Sequence, residues 1–447
     1  MANNGSPSSA ILYQNVDRTI VLLDIPKSIS LAQGTLDYAC TDKIYSSPPL
    51  EAPYPSTEPK SAKAKANILG TKVLIDSDLE FPTILLYQAL EEIDHHWRGG
   101  WCLMRKISPF VTAGRSKKRK LLEAEDLSPS LHVGIAGPDL PKPLPVLSCS
   151  GAENPAVPPR NVEPNLGVSE EFSSPRKLSD PSTLPVNLTS AIHVCSNIRQ
   201  FINRLVNNSC VTSVSLVHGG TSFRIPPNAS FFMSKVTETT ALIFSMGALT
   251  MYPSPSATAG SGQFDFILLD PPWRNRSAKR SAKYDTMCDM DPVALLQSLL
   301  GQHIAQDGLI ACWITNNPRV RAAALEAFAA WEVQLIEEWA WLKTTVLGVP
   351  VTHIEGVWRQ PFEILLLGKR VNEVGVHRQN PKKRVIVAVP DYHSRKPNLK
   401  GLIEPMLPAR YRALEIFGRY VSAGWWVWGD EVLKYNWEGH WSKESEY

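Results

Sequence analysis

The stretch Phe264-Asp-Phe-Ile-Leu-Leu-Asp270-Pro271-Pro272-Trp273 is an apolar run that stops in an acidic turn, locked by two prolines and capped by an aromatic. Apolar side chains at consecutive positions fit a strand buried on both faces, as in a sheet covered by helices on each side. Two prolines fix φ and remove two amide donors, so backbone carbonyls and the Asp270 carboxylate form a rigid group of acceptors. Such a group suits a donor with two N–H bonds. The exocyclic amine of a nucleobase gives one hydrogen to the carboxylate and the other to a proline carbonyl. Its nitrogen lone pair then leaves ring conjugation and faces an electrophile, with Trp273 placed to stack on the flipped base.

Outward from this run, further strands are expected at Ser230–Ser234, Leu309–Ile314, Glu363–Leu367, Arg384–Ala388 and Ala413–Phe417. Helical spacing of apolar residues marks Pro292–Leu300, Val320–Trp331 and Leu399–Leu407. Alternating strands and helices imply an α/β sheet whose ligand crevice lies at the carboxyl ends of the strands.

The whole chain has 447 residues, 43% hydrophobic and 20% charged, with a net charge of +3. That composition excludes an acidic disordered chain or a histone-like polycation, so any nucleic-acid contact is a local patch. Seven scattered cysteines form no C-x-x-C pair and read as thiols, not as a zinc site, and no metal is expected. No leader pattern follows Met1 and no run nears the ~18 apolar residues that span a bilayer, which sets the expectation of a soluble intracellular protein with no membrane partner.

Twelve of the 36 prolines fall between Ser128 and Val186, so residues 111–187 are expected to be a linker that opens on the basic cluster Arg115–Lys120. The cluster reads as a nuclear import signal or a nucleic-acid tether. Residues 1–110, with apolar runs at Arg18–Asp24 and Lys72–Asp76 and a helical pattern over Glu80–Ile93, read as an accessory domain that helps hold the substrate. Residues 188–447 carry the alternating pattern. The indoles of Trp425, Trp426, Trp428, Trp437 and Trp441 read as structural, and Lys382-Lys383-Arg384 either extends a basic track or starts a strand.

From about Pro226 to Asn436 the chain resembles the DPPW adenine-N6 methyltransferases, the methyltransferase-A-seventy family, and within it the methyltransferase-like protein four branch. The matching segments, in order, are Asp270–Asn275, Lys279–Ser281, Tyr284, Trp313–Asn316, Glu338–Lys343, Pro361–Glu363, His393–Pro397, Glu415–Arg419 and Trp428–Lys434. The resemblance implies a Rossmann-like S-adenosylmethionine-dependent methyltransferase fold in permuted, beta-class motif order, with the DPPW strand ahead of the strand ending in Glu415–Arg419. It implies S-adenosyl-L-methionine as methyl donor and RNA, of small nuclear type, or DNA with an accessible adenine as acceptor. The catalytic turn is then Asp270, Pro271, Pro272 and Trp273. Ser234, Val236, Asp270, Lys396, Phe417, Arg419, Asp430 and Glu431 would meet the cofactor, and Asn275, Lys279, Arg280, Tyr284, Glu363 and His393 the substrate. A nuclear monomer is expected, with a heterodimer as the alternative. Three positions depart from the family pattern: Lys235 where an acid is usual, Tyr420 after Arg419 where Asn is usual, and Asp430 in place of Asn. They motivate a second reading, a catalytically silent nucleic-acid-binding or scaffold member.

Overall fold

The computed structural model describes residues 9–35, 37–55, 58, 61, 81–108, 185–251, 262–273, 300–356, 359–371 and 380–443. Its strands are β1 (Ile11–Gln14), β2 (Ile20–Leu23), β3 (Lys43–Ile44), β4 (Val186–Leu188), β5 (Ile192–Val194), β6 (Leu205–Asn208), β7 (Val214–His218), β8 (Thr221–Ile225) and β9 (Ala229–Met233). The remainder are β10 (Phe264–Leu269), β11 (Ile304–Ile314), β12 (Val333–Lys343), β13 (Phe362–Arg370), β14 (Lys382–Ala388), β15 (Ala413–Ile416), β16 (Trp425–Gly429) and β17 (Trp441–Ser442). The helices are α1 (Ile25–Leu31), α2 (Thr83–His96), α3 (Glu238–Met251), α4 (Pro318–Ala330) and α5 (Lys400–Ile403).

Twelve of the strands form one mixed sheet, in the order β1-β2-β14-β12-β13-β11-β10-β15-β16-β9-β6-β4. Its middle is parallel: β10 pairs with β11 on one side and β15 on the other, and β15, β16 and β9 continue in the same direction. Antiparallel β13 separates β11 from β12, which restores the common direction and passes it to β14 and β2. The strand before Asp270 thus precedes in the chain, and lies beside, the strand before Phe417, the expected permuted order.

Pleating alternates the buried side chains between two covered faces. Ile267 and Leu269 of β10 join one cluster under α2, α3 and α4, which contribute Leu86, Phe244 and Phe328, while Phe266 and Leu268 join the other, with Ile29 of α1 and Ile403 of α5. The helix starts follow the sequence: Asn317 caps α4 by accepting the Arg319 N–H (3.0 Å), and Pro318 opens it. The expected helix 399–407 is a short α5 followed by a 3₁₀ turn, Glu404–Met406, because Pro405 has no N–H to carry the helix on. The expected Pro292–Leu300 helix lies outside the described residues except for Leu300, and the Lys72–Asp76 run and the Arg115–Lys120 cluster lie wholly outside them.

Two strands of residues 1–110, the segment read above as an accessory domain, belong to the central sheet. β2 pairs in parallel with β14, and β1 adds antiparallel to β2, so both extend the central sheet. Ile20, Val21, Leu22 and Leu23 are all buried there. The run was too short and too apolar to be an exposed edge, and only the long-range partner completes it. Lys382, Lys383 and Arg384 begin β14, with Lys383 paired to Glu338 (2.8 Å) and Arg384 to Glu337 (3.1 Å), which settles them as a strand start. Trp425, Trp426 and Trp428 are core residues of β16, and no helix among the described residues is long and apolar enough to cross a membrane.

Leu22→Ala should therefore destabilise the whole sheet by about 2–5 kcal/mol, the usual range for a fully buried leucine. The check is the thermal midpoint followed by tryptophan fluorescence, whose reporters Trp339, Trp341, Trp425 and Trp428 sit in the sheet. An unmoved midpoint would mean that the amino-terminal strands melt apart from it.

Candidate functional site

Because β9, β16, β15, β10, β11, β12 and β14 share one direction, their carboxyl ends share one edge, and antiparallel β13 brings its first residues to the same edge. That edge collects Ser234, Asp430, Phe417, Asp270, Asn316, Lys343, Glu363 and the segment after β14 that carries Lys396. A pocket opens there, lined by Asp270, Trp313, Lys396, Glu415, Phe417 and Tyr420 among others.

The turn itself is tightly tied. Asp270 N–H donates to the Ile416 carbonyl (3.2 Å), prolonging the β10–β15 ladder, and Trp273 N–H closes onto the Pro271 carbonyl (2.8 Å). The Trp273 indole N–H donates to the Trp313 carbonyl (2.6 Å), which anchors the ring at the end of β11. Nearby, Asn316 Nδ2 donates to the Phe362 carbonyl (2.7 Å) and ties that end to the start of β13.

Lys396 is the electrostatic centre. Its Nζ donates to Asp270 Oδ1 (2.6 Å), lies 3.3 Å from Glu363 Oε2, and sits 5.1 Å from the centre of the Trp313 ring. Glu363 is also paired with Lys343, which lies over the Trp341 ring. Burial pushes the Lys396 ammonium down, but Asp270 and Glu363 outweigh it, and its pKa stands above the ordinary lysine value. Burial pushes the Glu363 carboxyl up, but Lys396 and Lys343 overcome this and hold it at about 2. Glu415, on β15, has only weak compensation: burial, then the neighbouring Asp270, raise its carboxyl to about 8.

The remaining expected residues divide into those brought together and those not described. Phe417 takes a left-handed backbone (φ 67°) where β15 ends, and Arg419 follows it, with Nε 3.3 Å from Glu431 Oε2. Asp430 follows the end of β16, and its carboxyl is pushed up by burial and then by Glu431. A Cβ on Gly429 would stand 2.5 Å from the Gly418 carbonyl oxygen, so only glycine lets these two strand ends lie this close. Ser234 N–H donates to the Gly429 carbonyl (3.1 Å) and its hydroxyl meets Asn203 (2.5 Å), so Ser234 lies beside Asp430, while Val236 is buried in the hydrophobic core. His393 is exposed at the rim, and desolvation, then Lys343 and Arg419, lower its pKa. Asn275, Lys279, Arg280 and Tyr284 lie outside the described residues.

Three members of the site had no role in the sequence reading: Lys343, Glu415 and Asn398. Lys343 closes and Glu415 opens a matching segment, each without a partner in view. Asn398 binds the Tyr420 hydroxyl (3.2 Å) and Ser422 Oγ (3.1 Å), with no signal in the sequence.

The pocket lining brings the Asp270 carboxylate, the Glu415 carboxyl, which a bound cation would help to ionise, the Phe417 ring and Arg419 together, a set that suits a cationic sulfonium ligand with an adenine and a ribose. The residues present therefore fit S-adenosyl-L-methionine.

Comparison with known proteins finds similarity to the family that the motif suggests. Residues 264–431 match the family model described as MT-A70. The chain is 28% identical over 461 residues to the N6-methyladenosine RNA methyltransferase MTA1 of Pyricularia oryzae, an alignment covering 97% of this chain and 96% of that protein. It is 42% identical over 184 residues to the MTA1 protein of Cryphonectria parasitica, covering 40% of this chain and 54% of that one. It is 28% identical over 300 residues to the N(6)-adenine-specific methyltransferase METTL4 of Homo sapiens, covering 59% and 60%.

Glu415 generates a pH dependence of definite sign. An unfolded chain loses this proton near its ordinary value of 4.5, and the folded one near 8. Between those values the unfolded state holds fewer protons, so this group lowers stability as pH rises. Glu363 works oppositely, adding stability as pH rises from about 2 to 4.5. Glu415→Gln should therefore lose less in thermal midpoint than wild type between pH 5.5 and pH 8. Equal slopes in the two proteins would show that Glu415 is already ionised when folded.

Proposed function

We propose, from the premise that this chain belongs to the MT-A70 family through residues 264–431, that it transfers a methyl group from S-adenosyl-L-methionine to N6 of an adenine in RNA or DNA. The observation that carries this is the Lys396–Asp270 ion pair at the strand edge beside Phe417 and Arg419, directly ahead of a double-proline turn. RNA is the favoured acceptor, because the relative that aligns along nearly its whole length is named an RNA methyltransferase.

Bound S-adenosyl-L-methionine supplies an electrophilic methyl group on a sulfonium. Lys396 fixes the Asp270 carboxylate so that it accepts one N–H of the adenine amine, while the turn's rigid backbone offers the second acceptor. Held this way, the amine nitrogen keeps its lone pair directed at the methyl carbon. The C–N bond would form as the S–C bond breaks, with the proton lost by the amine passing to water, so Asp270 acts as an orienter instead of a strong base. Arg419 and Glu431 present paired charges suited to a ribose edge, and Phe417 an aromatic surface for adenine. Nuclear location is part of the reading, carried by the Arg115–Lys120 cluster, and the protein is taken to act as a monomer.

The test is incubation of the purified protein with methyl-labelled S-adenosyl-L-methionine and matched single-stranded RNA and DNA, with Asp270→Ala alongside. Label should appear on adenine N6 and fall by about 10²-fold or more in the variant, the scale of lost positioning and hydrogen bonding. Binding of both strands with no transfer would move the reading to a scaffold protein.

A further inference from the structure

The segment that carries Lys396 is contacted by residues from the far end of the chain. Among the described residues the segment Val389–Pro397 that follows β14 has no strand neighbour, yet its backbone is gripped. Arg105, whose side chain is only 1% exposed, donates from Nη2 to the Val389 carbonyl (2.8 Å) and from Nη1 to the Pro390 carbonyl (2.9 Å) and to Ser47 O (3.2 Å). Asp391 receives both the backbone N–H (2.8 Å) and the hydroxyl (3.1 Å) of Ser47. Arg395, the residue before Lys396, is fully buried. It pairs with Asp391 (2.7 Å), donates to the Tyr45 carbonyl (2.8 Å), and lies between the rings of Tyr392 and Tyr435. Asp24, the cap of α1, accepts the Leu103 N–H (2.8 Å) and so fixes the strip that bears Arg105.

These contacts join two amino-terminal strips, Tyr45–Ser47 and Leu103–Arg105, to the one segment that delivers the cation of the site. Their cost explains their meaning: two guanidinium groups and two carboxylates are withdrawn from water, and such groups are strongly destabilising when any partner is removed. Ser394 adds a left-handed backbone (φ 67°), a conformation that a non-glycine residue holds only when its surroundings impose it. This demanding arrangement stands directly before Lys396 in the chain.

We propose that Tyr45–Ser47 and Arg105 form a clamp whose role is to position Lys396 against Asp270, making the amino-terminal segment a part of the cofactor site's support in place of a separate substrate-holding domain. This rests on the reading of the site given under Proposed function. Arg105 and Ser47 are positioning residues. They touch neither the pocket's ligand nor the reacting atoms.

The experiment compares wild type with Arg105→Ala, Arg105→Lys and Ser47→Ala, all as the full chain. Hydrogen exchange of residues 389–397 is measured without ligand, and calorimetry gives the Kd for S-adenosyl-L-methionine. The clamp requires faster exchange confined to that segment and a Kd weakened about tenfold in Arg105→Ala, the size of one charge-assisted hydrogen bond. Arg105→Lys should fall between it and wild type, and kcat should fall alongside, since Lys396 also fixes the carboxylate that meets the adenine amine. A purely structural role would lower the folded fraction and leave the Kd of the folded protein unchanged, which overturns the proposal. If Arg105→Ala does not fold, Arg105→Lys and Ser47→Ala decide on the same readouts. Should wild type bind no S-adenosyl-L-methionine, the functional reading fails, while the exchange comparison still judges the clamp, with unchanged protection of 389–397 counting against it.

Discussion

One ammonium group organises this molecule. Lys396 is drawn out of water between Asp270 and Glu363, with the Trp313 ring beside it, and a cation in such a place is tolerated only if both carboxylates stay within reach. Those carboxylates belong to the end of β10 and the start of β13, and the lysine to the segment after β14. Three distant parts of the chain must therefore converge within a few ångströms. The charge arithmetic is local as well: Glu363 answers to two lysines, Lys396 and Lys343, while Glu415 nearby answers to almost none and keeps its proton to about pH 8.

The sheet satisfies that demand by direction. A parallel strand ends where its neighbour ends, so β9, β16, β15, β10 and β11 deliver Ser234, Asp430, Phe417, Asp270 and Asn316 to one edge without any special device. Glu363 needs something else, because it stands near the beginning of a strand. Reversing β13 alone between β11 and β12 sends its first residues to that edge, and Lys343, the last residue of β12, meets Glu363 there. The antiparallel insertion is thus what makes the second carboxylate available to Lys396.

How far the sequence alone reaches follows from which forces are local. The apolar run before Asp270, its double proline, and the helical periodicity of Val320–Trp331 are written in adjacent residues, and each appears where it was expected, as β10, its turn and α4. The site residues around the turn were legible through their motifs for the same reason. Pairings across the length of the chain were not. Nothing in Ile20–Leu23 names β14 as its partner more than 350 residues on, so a strand of the central sheet read as part of an accessory domain. Lys343, Glu415 and Asn398 likewise acquire their meaning from neighbours that only the fold supplies.

The three departures from the family pattern follow the same logic, and the fold absorbs at least one of them. Tyr420 is buried with its hydroxyl accepting from Asn398 Nδ2, whose own backbone N–H donates to Ser28 Oγ (3.0 Å) in α1. Burial and the nearby Glu415 push the tyrosine's pKa well up, so it stays a neutral wall of the pocket. The larger side chain therefore links the strand end after β15 to the amino-terminal segment. Asp430 stands at the end of β16, beside the end of β9 that carries Ser234 and Lys235, so an acid and a base share that corner of the edge. What a cationic ligand meets there is the sum of the strand ends and not any one position among them.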